Sequence, residues 1–157
     1  MRDIVKILRR VTVAAVLLLP MMAWAQSPDP IVGTWNVSAS LNGAPLYIGV
    51  MTFHSGGTLT EFDTAGTNSS ASPGESIDSG VWIQKTNGSY TFKAENFVYD
   101  SSGNLSELAT AACNLTLGSN QNSFKANCTV SFFSCSLSQC PGPLQQSFSY
   151  QAVARRF

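Results

Sequence analysis

Strict alternation of apolar and polar residues constrains this chain more than any other feature. From Ile31 to Leu41, the residues Ile31, Gly33, Trp35, Val37, Ala39 and Leu41 share one parity, and Thr34, Asn36, Ser38 and Ser40 share the other. A repeat of two places side chains on opposite faces of an extended chain, so this run predicts a half-buried β-strand. Tyr90, Phe92, Ala94, Asn96 and Val98 repeat the pattern against Thr91, Lys93 and Glu95. Asn42-Gly43 and Asn87-Gly88 are hairpin turn signals, because both residue types accept the left-handed backbone a tight turn needs. With further runs at 46–53, 58–62, 81–85, 105–117, 124–132 and 148–154, eight strands are expected and no helix outside the leader.

Many short antiparallel strands at near-regular spacing predict a sandwich or an up-and-down barrel. All but two of the links suit hairpins, and a meander that closes on itself leaves no exposed edge. The reading is therefore all-β, an eight-stranded antiparallel up-and-down barrel, with a β-sandwich as the alternative. Successive turns then fall at alternate ends. One end collects the tight turns 54–57, 86–88 and 118–122 with the termini. The other collects 41–45, 100–104 and two longer segments, 63–79 and 133–144. Recognition concentrates on loops held by a rigid scaffold, so the second end is expected to carry it.

The first 25 residues read as a secretory leader. Arg2, Lys6, Arg9 and Arg10 precede an apolar stretch from Val11, and Ala23-Trp24-Ala25 supplies a small-x-small cleavage site. Val11 to Ala25 falls short of the ~20 residues that span a bilayer as a helix, so no membrane span is expected after cleavage. Removing these 25 residues from 157 leaves a single domain, 26–157, with 5 Lys and Arg against 8 Asp and Glu. Five basic residues cannot build a surface that tracks phosphates, which excludes nucleic acid as a partner. Export to the periplasm or beyond is expected.

An eight-stranded barrel is either filled by its own side chains or holds one small ligand. The parity expected to face inward includes six alanines, Ala39, Ala94, Ala109, Ala111, Ala126 and Ala152. Such small side chains leave space. The candidate ligand-binding residues are Val37, Ala39, Phe92, Ala94, Val98, Ala111, Val130 and Tyr150, and the expected ligand is small and apolar, with no cofactor. The competing expectation is a narrow barrel filled by neighbouring aromatics, acting as a protein-interaction module, such as an inhibitor of a secreted enzyme, through loops 63–79 and 133–144.

The four cysteines of an exported chain suggest disulfides. Pairing the two strands about Asn120 and Gln121 sets Cys113 directly opposite Cys128, and Cys135 and Cys140 share the 133–144 segment. The first bridge would contribute about 3 kcal/mol on a chain-entropy account. Catalysis finds little support. His54, the sole His, lies in a Gly-rich turn without a nucleophile near it, and the inward titratable groups expected are Glu107 and Tyr150. Asp63, Glu75 and Asp78 match no calcium loop and read as a solvated loop, so no metal is expected.

Gly33-Thr34-Trp35, at the start of the first strand, resembles the Gly-x-Trp motif of the lipocalin and wider calycin superfamily. The turn Phe53-His54-Ser55-Gly56-Gly57-Thr58, with Gly80-Val81-Trp82 and Tyr90-Thr91-Phe92, is similar to secreted bacterial lipocalin-like proteins. The resemblance implies that Gly33 and Trp35 are structural. It also implies that an Arg of the last strand, Arg155 or its neighbour Arg156, packs across the indole at the closed end, with Arg155 the candidate carried forward. Avidins share Gly-Thr-Trp, but only Trp35 and Trp82 remain after cleavage, so biotin is not the expected ligand.

Overall fold

The computed structural model describes residues 28–64 and 74–157. The expected leader with its cleavage point after Ala25, and residues 65–73 of the expected 63–79 loop, lie outside the described residues. Eight strands follow in order: β1 (Gly33–Leu41), β2 (Ala44–Phe53), β3 (Thr58–Asp63), β4 (Asp78–Gln84), β5 (Tyr90–Tyr99), β6 (Leu105–Leu117), β7 (Ser123–Ser134) and β8 (Leu144–Arg156). Each is hydrogen-bonded to its sequence neighbour, and β8 returns to pair with β1, closing an antiparallel up-and-down barrel. No helix among the described residues is long and apolar enough to cross a membrane.

Register follows the hydrophobic alternation wherever that alternation was clear. Trp35, Val37 and Ala39 on β1 point inward, as do Tyr90, Phe92 and Ala94 on β5, and all six are buried. Asn42 and Gly43 both take positive φ in the first hairpin. Two strands begin earlier than their apolar content indicates: β8 at Leu144 and β4 at Asp78. Ladder bonds come from the backbone, so polar residues can extend a strand. On β8 they do so with a hydroxyl pair, Ser131 Oγ to Ser147 Oγ at 3.0 Å.

The end carrying the tight turns is packed solid. Trp35 is fully buried, its Nε1 donates to the Ile31 carbonyl at 2.9 Å, and its ring lies 5.1 Å from that of Phe124. Phe53 packs edge-on to Trp82, Phe92 and Phe124. The Tyr90 hydroxyl donates to Asp29 at 2.6 Å, tying the segment before β1 across the bottom of the barrel.

The Arg155 assignment is corrected. Arg156, not Arg155, caps Trp35, with its guanidinium carbon 4.3 Å from the ring centroid. The cause is parity: on β8 the even residues Tyr150, Ala152 and Ala154 face inward, so Arg156 turns to the core and Arg155 to solvent. Arg156 also donates to the carbonyls of Val32 and Pro30. Gly33 sits beneath it at φ 135°, where an added Cβ would lie 2.6 Å from Arg156 Nη1. Gly33 is therefore structural for two reasons, its backbone conformation and the space the guanidinium occupies.

Both disulfides form as the spacing indicated, Cys113 with Cys128 across β6 and β7, and Cys135 with Cys140 in the link to β8. Cys113 and Cys128 are direct cross-strand partners. Such bonds persist in oxidising compartments.

Candidate ligand-binding cavity

The opposite end is not filled. Between the β2, β5, β6, β7 and β8 walls lies a cavity of about 230 Å³, open to the loop-rich rim. Its apolar wall is made by Leu46, Ala94, Ala109, Ala111, Val130, Phe132 and Phe148. The three alanines sit on facing positions of β5 and β6, with Ala94 opposite Ala111 and Asn96 opposite Ala109, so two adjacent strands present almost no side-chain bulk. Phe132 and Phe148 stack at 6.1 Å on the far side.

Of the eight ligand-binding candidates, Ala94, Ala111, Val130 and Tyr150 line this cavity. Val37, Ala39, Phe92 and Val98 face inward too, but are buried away from its lining. Val37, Ala39 and Phe92 belong to the packed core, while Val98 is bridged by Glu75 in the segment leading to β4. All six inward alanines point inside as expected. Only those on β5 and β6 line the void; Ala39, Ala126 and Ala152 belong to the packed core.

The polar wall was not foreseen. Asp63 and Asp78, the ends of β3 and β4, line the cavity with Glu75, Tyr47 and Asn96. A smaller adjoining recess of about 190 Å³ shares Asp63, Glu75 and Asp78 and reaches Glu61. Of the three acids expected in a solvated loop, Glu75 is exposed, whereas Asp63 and Asp78 are half-buried strand ends. Glu61 is only 4% exposed, wedged between its strand partners Met51 and Asp78, and its Oε1 has no hydrogen-bond partner.

β3 carries the reason. In Thr58-Leu59-Thr60-Glu61-Phe62-Asp63 the odd parity begins apolar and turns acidic, while the even parity ends on Phe62. Hydropathy alone cannot choose a face. The backbone continues the inward parity of Leu59, so Glu61 is buried and Phe62 is 67% exposed. The same inversion runs along the neighbours, where Ile48 on β2 and Val81 and Ile83 on β4 face outward. Gly80 faces inward because β5 passes close: a Cβ there would meet the Lys93 carbonyl at 2.1 Å.

Burial dominates the electrostatics of this wall. It raises the Glu61 carboxyl well above its ordinary range, helped by the charges of Asp78 and Asp63. Asp78 is pushed up to about 7 by burial and then by Asp63 and Glu75. Glu75 is raised by desolvation and then by Asp63, partly opposed by the Asn96 amide that donates to it at 3.2 Å. Burial also lifts the phenols, Tyr150 to about 12 and Tyr47 higher. The low stock of inward titratable groups read from the sequence, Glu107 and Tyr150, is thus too small. His54 stays on its exposed turn, 3.3 Å from Thr60 Oγ1.

Among the described residues, no group of three or more His, Cys, Asp or Glu is arranged to hold a metal ion. No protein-family model, curated protein or solved structure matches the chain.

Proposed function

We propose that the protein is exported and binds a small molecule with an apolar body in the rim cavity of its barrel, in the manner of the lipocalin-like proteins its Gly-Thr-Trp motif resembles. The observation that carries this reading is the contrast between the two ends. Aromatic side chains fill the barrel around Trp35, whereas Ala94, Ala109 and Ala111 leave about 230 Å³ under the loops. Proteins pack their interiors with few voids larger than a water molecule, so a lined, open space of this size supports a ligand site. Its volume lies below the ~300–1,000 Å³ of drug-sized sites, which suits a single ring or a short chain. Two disulfides and the leader-like N-terminus support an exported protein.

Ala111→Trp tests the reading. Ala111 lines the cavity between Ala94 and Val130, and an indole there would occupy it without touching the Trp35 end. The variant should fold and lose at least ten-fold in affinity for 2-phenylethanol, a neutral one-ring probe, by calorimetric titration. Unchanged affinity would place the binding elsewhere.

A second reading is favoured by Asp78, whose carboxyl at about 7 suits a proton shuttle at neutral pH. On this reading the cavity is the site of a cofactor-free isomerase with Asp78 and Glu61 as its acid and base. Chemical change of the bound molecule, rather than its recovery intact, distinguishes the two.

A further inference from the structure

We infer that the molecule taken by this cavity is a small arylalkyl amine, bound with its ring against Phe132 and Phe148 and its ammonium on the Glu61 side. The inference rests on the ligand-site reading above and adds the chemistry of the head group.

Three observations converge. First, Glu61 is 4% exposed, its Oε1 is without a hydrogen-bond partner, and it lines the recess that continues the main cavity through Asp63, Glu75 and Asp78. A buried acceptor left unmatched by the protein needs a donor, and an ammonium carries three. Second, among the described residues no Lys or Arg faces Glu61. Lys85, Lys93, Lys125 and Arg155 are exposed, and Arg156 is committed to Trp35 at the other end. When the Glu61 carboxyl ionises, a ligand ammonium can supply the balancing charge. Third, the remaining wall is apolar and aromatic, with room for one ring. The acids are not arranged as a metal site among the described residues, which leaves an organic cation.

Groups facing Glu61 set its pH response: Tyr47 from β2, Asp63 from β3, Asp78 from β4 and Tyr150 from β8, with Glu75 acting through Asp78. All are acids or phenols. At low pH the carboxyls hold their protons and a cation gains little; as they ionise, the ammonium replaces those protons. Binding should therefore tighten with rising pH and release protons.

Calorimetric titration with 2-phenylethylamine, 2-phenylethanol and phenylacetate separates the possibilities. At pH 8 the amine should bind at least about ten-fold tighter than the alcohol, as hydrogen bonds to charged groups require. Phenylacetate should bind weakest. The advantage of the amine should shrink at pH 5, and heats measured in buffers of different ionisation enthalpy should report proton release. Glu61→Gln should bring the affinities of amine and alcohol together; Asp78→Asn, on a separate strand, should narrow the gap between them. Equal binding of alcohol and amine would overturn the ammonium assignment and leave the cavity as an apolar site. Failure of all three probes would overturn both readings. Calcium chloride that displaces the amine in the native protein but not in Glu61→Gln would assign the acids to a metal instead.

Discussion

Trp35→Ala should remove about 3–5 kcal/mol of folding stability, the range for deleting a large aromatic from a packed core. Trp35 is fully buried at the point where β1, β2 and β8 converge on the closed end. Its removal empties the site beside Phe124 and Met51, leaves the Ile31 carbonyl without its indole donor, and strips Arg156 of the ring beneath it. The surroundings cannot collapse to compensate, because each neighbour is held by its own strand pairing. Urea unfolding with the disulfides intact measures the loss. A change below about 1 kcal/mol would mean that the closed end is not a packed plug. The neighbouring arginines sharpen the test: Arg156→Ala should cost about 0.5–2 kcal/mol, the range of a partly desolvated cation over an indole, whereas Arg155→Ala should leave stability unchanged.

The second large effect is on pH. Glu61, Asp78 and Glu75 all have carboxyls raised by burial first and then by neighbouring acids, Asp63 acting on each. Above the ordinary carboxyl range the native protein therefore holds protons that the unfolded chain has released. Stability follows the difference, unfolded minus native, in bound protons, which is negative here, so stability falls as pH rises. For Asp78 the window runs from 3.8 to about 7, and within it this group contributes up to ~1.4 kcal/mol per pH unit. The acids are neighbours and titrate as a set, so the observed slope belongs to the cluster. The melting temperature should be higher at pH 5 than at pH 8, and Glu61→Gln should flatten the profile by stabilising the protein at the upper end. A melting temperature that rises from pH 5 to pH 8 would mean that the acids are solvated in the native state. This destabilisation also suits a binding site: a ligand cation that satisfies the cluster would return stability in proportion to its affinity.

Most of the scaffold is legible in the sequence because period-two burial and turn chemistry are local signals. The parity of Tyr90 to Val98 places β5, the Asn-Gly pairs place two hairpins, and reflection about Asn120 and Gln121 places Cys113 against Cys128. The site is half legible. Ala94, Ala111, Val130 and Tyr150 follow from alternation on clear strands. Tyr47, Glu61, Asp63 and Asp78 do not, because β2, β3 and β4 carry apolar residues on both parities. There the usual rule of apolar inside gives no preference, and register is decided by pairing with neighbours. The outward Phe62 and inward Glu61 could be recognised only by carrying the parity of Leu59 forward against hydropathy. Arg155 against Arg156 shows the converse. The parity of β8 was available from Tyr150 and Ala152 and selects Arg156.

The central claim is that the cavity at the loop-rich end holds a small molecule. Native mass spectrometry of the protein purified from its own cells, compared with the same sample after denaturation, tests it most directly. The expected result is an added mass that leaves on denaturation, is recovered chemically intact, and is missing from Ala111→Trp prepared alongside. A bare monomer mass that persists after incubation with 2-phenylethylamine and 2-phenylethanol would contradict the claim.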